Sequence, residues 1–325
     1  MNDTHDERTR GLKAKTIKAL LRKKIDEWLA SIEDPSVRDL AAKSTIVTGG
    51  AIASMLLGER INDFDVYLRS KAAASALARY YVARFKTKSA KGIPVPVEVD
   101  ESDGRVRVIV KSAGVASEEG STKPYEYFEG APAERAAAYV GEIMQDPGDI
   151  QDTYEEAEAS ALKEETSDYR PVFLSTNAIT LSGRVQVILR FFGEPDSIHE
   201  NYDFVHCTNY WTSWDGALTL RPAALEALLS KELRYVGSKY PICSLIRLRK
   251  FIQRGWTVNA GQILKMVMQI SELDLTKIEV LQDQLTGVDA AYFVQVISAL
   301  KQNDPENDPE KVNAAYLCEI LDRLF

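Results

Sequence analysis

The chain has 325 residues, of which 45% are hydrophobic and 27% are charged, and its formal net charge is −8. This length is enough for one large or two modest domains with real hydrophobic cores, and the acidic balance does not suggest a protein that coats nucleic acid. Membrane-spanning and secreted classes are not expected, because no apolar run approaches the roughly 20 residues of a spanning helix and the N-terminus is polar and charged.

The predicted elements of the first half alternate between helices and short strands. Helical spacing of apolar residues indicates the helices, and short apolar runs before turn residues indicate the strands. In chain order they are a helix over 12–42 broken at 34–35, a strand ending at 49–50, a helix over 51–58, a strand over 62–68, a helix over 70–85 and strands over 94–100 and 105–112. The first half is therefore predicted to be a mixed α/β unit.

The second half begins with an acidic insertion and ends as a run of helices. The insertion covers 113–170 and is predicted to contain helices at about 131–145 and 154–165. Three further strands are predicted over 171–182, 184–193 and 202–211, and helices over 225–233, 245–255, 260–273, 288–302 and 312–325. The sequence thus predicts an α/β unit followed by an all-α unit.

The most informative pattern is a Gly-Gly turn followed by two paired carboxylates. Gly49-Gly50 lies between the strand and the helix, so backbone N–H groups can approach a triphosphate without a Cβ in the way. Ser54, placed in the first turn of that helix, could donate a further hydrogen bond. Asp63 and Asp65 are two apart on a predicted strand and therefore share one face. Carboxylates placed in this way can hold Mg²⁺ or Mn²⁺, and such ions bridge to phosphates.

These residues resemble a known superfamily. The segment IVTGGAIASMLLGERINDFDVYL resembles the opening motif of the DNA polymerase β-type nucleotidyltransferases, closest to the branch of CCA-adding enzymes and bacterial poly(A) polymerases. More faintly, KYPICSLIRLRKFIQRGWTV is similar to the arginine-rich helix that follows the head domain of that branch. The similarity covers residues 36–68 well and 180–260 loosely.

The resemblance implies a domain plan and a reaction. A basic N-terminal helix would cover 1–35, a nucleotidyltransferase head with a mixed sheet 36–220, and a helical domain 221–325. The reaction would transfer a nucleoside monophosphate from a nucleoside triphosphate (NTP) to a hydroxyl acceptor, with an RNA 3′ end, tRNA-like, as the leading acceptor. Transfer to a protein or small molecule, and a non-catalytic relative that binds RNA or nucleotide, are the alternatives.

The resemblance also implies roles for particular residues. Asp63 and Asp65 would bind the metal, and Gly49, Gly50 and Ser54 would hold the triphosphate. Arg247 and Lys250, on one face of the arginine-rich helix, would contact the nucleotide or the acceptor.

Two departures from the branch bear on the site. Relatives carry Arg-Asp where this chain has Ala53-Ser54, and they carry a third carboxylate where the strand VQVILR offers Gln186. Asp203 is the favoured substitute for the third acid, because it is predicted on a short apolar strand after the core hairpin. Glu98 and Asp100 are the alternatives.

The remaining polar residues carry weaker signals. Cys207, Cys243 and Cys318 are scattered without a CxxC pair, which favours a reducing cytoplasm over a disulfide framework or a structural zinc site. His206 is expected to be buried and His199 to lie in a surface loop, and three histidines give no Ser-His-Asp arrangement. The oligomeric state cannot be read from the sequence.

Overall fold

The computed structural model describes residues 11–88, 97–110, 169–174 and 177–275, with single positions at 277, 280 and 284. The helices are α1 Ala14–Ala30, α2 Pro35–Ala42, α3 Gly50–Leu57, α4 Lys71–Lys88, α5 Pro195–His199, α6 Pro222–Ser230, α7 Pro241–Gln253 and α8 Ala260–Ser271. The strands are β1 Thr45–Thr48, β2 Phe64–Leu68, β3 Val97–Asp100, β4 Arg107–Val110, β5 Pro171–Leu174, β6 Ala178–Leu181, β7 Val185–Phe192, β8 Tyr210–Thr212 and β9 Leu218–Thr219.

The main sheet has seven strands in the order β5-β6-β7-β2-β1-β8-β9. Strands β2 and β7 are parallel, and the other neighbouring strands are antiparallel. Strands β3 and β4 form a separate antiparallel pair. The predicted fold class, a mixed α/β fold with a mixed sheet followed by helices, is therefore confirmed.

The N-terminal helices form where the sequence signals them. Asp34 caps α2 by accepting hydrogen bonds from the backbone N–H groups of Ser36 (2.8 Å) and Val37, and Pro35 occupies the first turn. In α1 every third or fourth residue is apolar and buried, including Trp28, whose Nε1 donates to the hydroxyl of Tyr81 on α4 at 2.8 Å. The exposed side of α1 carries its lysines, so the basic N-terminal stretch is an outer helix face.

The two faces of the main sheet bury different residues. Side chains alternate between the two faces along β2, so Val66 and Leu68 lie in the principal core together with residues of α1, α2 and α4. Tyr67 points to the opposite face and packs with Ile46 and Ile198. Because Asp65 is two residues before Tyr67, it lies on that second face as well. The candidate site is therefore on the side of the sheet away from α1 and α4.

The helices after β9 pack in a second core. Its buried members are Ala53, Phe204, Leu228, Leu233, Tyr235, Leu248, Trp256 and Met266. Since Ala53 belongs to α3, this core joins the helices after β9 to the helix that begins at the Gly-Gly turn. None of the helices in the described part of the chain is long and apolar enough to cross a membrane.

One predicted strand is wrong in its first half. Over 202–211 only Tyr210–Thr212 is a strand, while Val205–Cys207 is a 3-10 turn and Phe204 makes an isolated bridge to Tyr235. The apolar spacing was that of a strand, but polar contacts bend the chain. The side chain of Asp203 accepts a hydrogen bond from the N–H of Phe204 at 3.0 Å, which competes with strand pairing.

Other boundaries differ less. The segment 171–182, predicted as a strand, forms the two strands β5 and β6. The helix predicted over 225–233 ends at Ser230, because Lys231 adopts a left-handed conformation with φ 48°. The two helices predicted inside the acidic insertion lie outside the described residues. So do the two helices predicted over 288–302 and 312–325.

Candidate active site

The Gly-Gly turn is built around a conformation that only glycine adopts easily. Gly49 caps α3 with φ 90° and ψ −148°. A Cβ at this position would lie 2.9 Å from Oδ2 of Asp65 and 3.5 Å from the hydroxyl oxygen of Tyr202. The carboxylate of Asp65 therefore lies against the backbone of the turn.

Gly50 has the opposite environment. A Cβ added there would meet nothing within 4 Å, and the residue is exposed. Space above Gly50 is thus open at the N-terminus of α3, where free backbone N–H groups favour an anion. Ser54 was predicted in the first turn of this helix, but α3 begins at Gly50, so Ser54 lies in the second turn and is buried.

Asp63 and Asp65 are close enough to affect each other's charge. Asp65 is the second residue of β2 and Asp63 immediately precedes the strand; both are partly exposed. Burial raises the pKa of Asp65 well above its usual range, the negative charge of Asp63 raises it further, and the charge of Arg247 opposes both. A cation placed between the two carboxylates would relieve this repulsion.

The residue beside Asp65 on the neighbouring parallel strand is neutral. Asp65 is in register with Gln186 of β7, which is in register with Thr180 of β6. Nε2 of Gln186 lies 3.5 Å from Oγ1 of Thr180. Within the described ranges, no group of three His, Cys, Asp or Glu side chains could hold a metal ion. The carboxylate pair is thus flanked by an amide on this side.

Asp203, predicted as the third acid, pairs with an arginine. It is 8% exposed, and its Oδ2 accepts a hydrogen bond from Nη1 of Arg247 at 2.5 Å. Burial disfavours the charged form of Arg247, but the ion pair with Asp203 outweighs that cost and raises the pKa of the guanidinium. The charge of Arg247 also acts on Asp65 and on the hydroxyl of Tyr67. The hydrogen bond to Asp203 thus fixes Arg247, whose positive charge acts on Asp65.

The wall of the site contains two tyrosines that sequence reasoning did not select. Burial raises the pKa of Tyr67, and the negative charge of Asp65 raises it further; the same two causes act on Tyr202 together with Tyr67 itself. The two rings are 6.0 Å apart. Both phenols are therefore neutral hydroxyls beside the carboxylates. Tyr67 could have been found from the alternation of β2, whereas Tyr202 could not.

A buried hydrogen-bond cluster holds the strand end that precedes the turn. Oγ1 of Thr48 lies 2.8 Å from Nε2 of His199, 2.9 Å from the carbonyl oxygen of Asn209 and 3.2 Å from that of Cys207. The N–H of Gly49 also donates to the carbonyl of Cys207, at 3.1 Å. These bonds fix the Gly-Gly turn against the segment that follows Asp203.

His199 is therefore not in a surface loop, as the sequence predicted, but is buried at the end of α5. Burial lowers the pKa of His199 to about 4, with the positive charge of Arg221 acting in the same direction. The ring is neutral near pH 7. His206 is buried as predicted, 4.3 Å from the ring of Trp256 and 4.7 Å from that of Phe251.

The basic face of α7 is partly occupied by ion pairs. Arg254 donates to Oε2 of Glu59 at 2.6 Å, and Nζ of Lys231 lies 3.3 Å from its Oε1. Glu59 lies two residues after the last residue of α3, so its ion pairs join the end of α3 to the helical region. Lys250 is exposed on α7, between Arg247 and Arg254 in the sequence. Arg247 is therefore paired with Asp203, whereas Lys250 lies at the surface.

Glu59→Gln is expected to lower the free energy of unfolding by about 1–2 kcal/mol at pH 7, because two charge-assisted contacts weaken together. Burial alone would raise the pKa of Glu59, but the hydrogen bond from Arg254 and the charge of Lys231 outweigh it and lower the pKa. The stabilisation is thus present above the pKa of unfolded Glu and is lost as the pH falls through the lower folded pKa.

Urea unfolding at pH 7 and pH 3 measures this effect. The difference between the wild type and Glu59→Gln should shrink at pH 3. Glu194→Gln is the matched control, because the Glu194–Arg69 pair is exposed and its loss should change stability by less than about 1 kcal/mol. Equal losses in the two variants would contradict a special role for Glu59.

Residues 19–231, more than half of the chain, match the model of the Gabija anti-defense 2 family protein. A curated relative, Gabija anti-defense 2 of Bacillus phage SPbetaL7, is 24% identical over 123 residues. This match covers 37% of the chain and 31% of the relative.

Among solved structures, similarity extends to CCA-adding enzymes. The Thermotoga maritima enzyme complexed with tRNA has 12% identity and a TM-score of 0.36, with 87% of this chain and 57% of that chain covered. The Bacillus stearothermophilus enzyme in complex with CTP has 11% identity and a TM-score of 0.35, with 86% and 51% covered. The chain spans about a third of the curated relative and about half of each enzyme.

Proposed function

The chain belongs to the Gabija anti-defense 2 family, and on that premise we propose that it is a metal-dependent nucleotidyltransferase. The observation that carries the proposal is the contact of the Asp65 carboxylate with the Gly49 turn, beside Asp63 and at the open N-terminus of α3. This arrangement supports the proposal, because a pair of carboxylates suited to a metal lies next to backbone N–H groups suited to phosphate.

The proposed reaction moves a nucleoside monophosphate from an NTP to a hydroxyl. The acceptor oxygen forms a bond to the α-phosphorus, and the bond from that phosphorus to the bridging oxygen of the β-phosphate breaks. Pyrophosphate leaves with that electron pair, and the hydroxyl proton passes to water or to a site carboxylate. Backbone N–H groups after Gly49 hold the triphosphate, and the Arg247 guanidinium neutralises charge that builds up on it.

The residues present fit a divalent cation. The raised pKa of Asp65 arises from burial and from the charge of Asp63, and oxygen ligands of this kind suit Mg²⁺ or Mn²⁺. Asp63 and Asp65 would hold the ion. When bound, it would polarise the phosphates and lower the pKa of an oxygen ligand. Asp203, predicted as a catalytic acid, is proposed instead to fix Arg247, because its carboxylate accepts a hydrogen bond from that side chain.

An RNA 3′ end remains the leading acceptor. The exposed Arg249 and Lys250 of α7 offer cations to a phosphate backbone. Gly50 and Lys250 keep their proposed roles as contacts of the nucleotide or acceptor, whereas the predicted contact of Ser54 is not proposed, because Ser54 is buried in the second turn of α3.

A protein hydroxyl is the second candidate acceptor, and family membership favours it. The family is named for action against Gabija defence, so a component of that defence is the proposed protein acceptor, and the net acidic charge of the chain does not require a nucleic-acid partner. A non-catalytic binding role is the third reading, supported by Gln186 at the position of the expected acid.

A labelling assay tests all three. The protein is incubated with Mg²⁺ or Mn²⁺ and each α-³²P-labelled NTP, in the presence of total cellular RNA and, separately, purified Gabija proteins. Label should appear on RNA or on protein, and it should be absent with the Asp63→Ala/Asp65→Ala double variant. A circular-dichroism spectrum like that of the wild type confirms that this variant is folded.

Each outcome of the assay supports one of the three candidate functions. Label on RNA supports the leading acceptor, and label on a Gabija protein supports the second. If no nucleotide gives label in either mixture, the transferase proposal is abandoned for the binding reading.

A further inference from the structure

A carboxylate and a phenol border the same point above the Cα of Gly49. A Cβ at this position would lie 2.9 Å from Oδ2 of Asp65 and 3.5 Å from the hydroxyl oxygen of Tyr202, and these two oxygens would be its nearest neighbours. Any side chain here would therefore place a carbon atom against both groups. Glycine is needed for more than its backbone angle, because it leaves the carboxylate and the phenol facing each other over the turn.

The hydroxyl of Tyr202 is a donor that the fold leaves unused. It is buried, and within the described ranges it has no hydrogen-bond partner. Its other polar neighbours are the hydroxyls of Tyr67 and Thr48. Thr48 is already engaged with the ring of His199 and with two backbone carbonyl groups. Because a buried hydroxyl without a partner costs free energy of folding, this group does not serve the stability of the metal-free protein.

The ring that carries this hydroxyl is held on two sides. The rings of Tyr202 and His199 are 5.0 Å apart in an edge-to-face arrangement, and the ring of Tyr67 is 6.0 Å away. The backbone N–H of Tyr202 donates to the carbonyl of His199 at 3.0 Å. His199 is in turn bound to Thr48, the residue that immediately precedes the Gly-Gly turn. These contacts fix the phenol relative to the turn, with its hydroxyl over Gly49.

We infer that Tyr202 is a positioning residue, whose hydroxyl donates a hydrogen bond to the Asp65 carboxylate when the site holds a divalent cation. The inference rests on the proposed function. Among the acceptors near the hydroxyl the carboxylate is the strongest, because hydrogen bonds to charged oxygens are about twice as strong as those between neutral groups. Only a small movement of the two side chains is needed, since both oxygens already border the same point. Tyr202 acts through Asp65 and does not itself bind the ion or the nucleotide.

Tyr202→Phe tests the inference, because it removes the hydroxyl oxygen and keeps the ring that packs on His199. In the presence of a chelator the variant should melt at the temperature of the wild type or higher, since a buried polar group is removed and no hydrogen bond is lost. Isothermal titration calorimetry of the full chain with Mn²⁺ should nonetheless show affinity weakened about 10- to 100-fold, the usual cost of losing a residue that orients a metal-binding side chain. A merely structural role would give the reverse, lower stability with unchanged Mn²⁺ affinity.

A spectroscopic signal gives a second readout. A new hydrogen bond from a phenol to a carboxylate changes the near-ultraviolet absorption of tyrosine, so Mg²⁺ should produce a tyrosine difference spectrum that Tyr202→Phe largely removes. Tyr80→Phe is the matched control, because Tyr80 packs against the principal core on the other side of the sheet, where its hydroxyl accepts from the N–H of Glu33 at 3.0 Å. The Mn²⁺ affinity and the difference spectrum of this control should match those of the wild type.

The two levels of the proposal fail in different ways. A Tyr202→Phe variant that binds Mn²⁺ as tightly as the wild type, or that melts at a lower temperature in the chelator, would overturn the positioning role and leave the transferase proposal standing. Mn²⁺ binding that is absent from the wild type, or that persists in Asp63→Ala/Asp65→Ala, would overturn the metal site itself and the positioning role with it.

Discussion

Asp65→Asn is expected to abolish nucleotidyl transfer while raising the thermal stability of the metal-free protein. Loss of the metal-binding carboxylate should lower the rate by about 1,000-fold or more, since a bound metal contributes several kcal/mol to the stabilisation of the transition state. The same carboxylate is unfavourable to folding when no cation is present, because burial and the charge of Asp63 both oppose its ionised form. Asparagine keeps the shape of the side chain and removes that charge.

The pH dependence follows from the sign of the shift. A pKa raised in the folded state gives stability that is full below the pKa of unfolded Asp and is lost as the pH rises through the higher folded pKa. Metal-free wild type should therefore lose stability over this interval relative to Asp65→Asn. Melting temperatures between pH 4 and pH 8 in the presence of a chelator measure the difference.

Asp39→Asn is the control for this experiment, because Asp39 pairs with Lys43 on the exposed side of α2. It should leave transfer intact and change stability little. Full activity of Asp65→Asn would refute the metal-binding role. An unchanged melting curve at every pH would refute the electrostatic cost.

Gly49→Ala is expected to destabilise the fold and Gly50→Ala is not, although the two residues are adjacent. Gly49 has φ 90°, and an added Cβ would lie 2.9 Å from Oδ2 of Asp65, so alanine both strains the backbone and displaces the carboxylate. We expect a loss of about 1–3 kcal/mol in the free energy of unfolding together with loss of activity. At Gly50 a Cβ meets nothing within 4 Å, so the fold should be unaffected.

Gly50→Ala should nonetheless impair nucleotide binding. Its Cβ would stand in the open space over the N-terminus of α3, where the triphosphate is proposed to lie, and should raise KM for the NTP more than it lowers kcat. Chemical denaturation and steady-state kinetics on both variants separate the effects. A destabilised Gly50→Ala protein, or a Gly49→Ala protein as stable and active as the wild type, would contradict the geometry of the turn.

The local part of the site could be predicted from the sequence because its parts are contiguous. The strand, the Gly-Gly turn, α3 and the strand with Asp65 occupy residues 45–68, and each boundary is signalled by a residue with a special backbone conformation or by a change of hydrophobic period. Gln186 was also identified correctly as part of the strand facing Asp65, and the register confirms the position.

The remaining contacts depend on residues far apart in the chain. No local signal distinguishes an aspartate that binds metal from one that fixes an arginine, and Asp203 is 44 positions from Arg247. His199 followed a Pro-Asp-Ser sequence typical of a surface turn, yet the hydroxyl of Thr48, 151 positions away, gives its ring a buried partner. Tertiary packing decided both cases, and a single sequence does not encode that packing in its periodicity.

The contacts of α7 with the rest of the molecule repeat at a regular interval. Tyr240 at its start receives a hydrogen bond from Arg190 and lies 4.2 Å from that guanidinium, Arg247 binds Asp203, and Arg254 at its end binds Glu59. These positions are seven residues apart, close to two helical turns. One residue inserted between Arg247 and Arg254 would rotate the end of the helix by about 100° and carry Arg254 away from Glu59. An insertion or deletion within α7 is therefore expected to break at least one of these three contacts, whatever residue is added or removed.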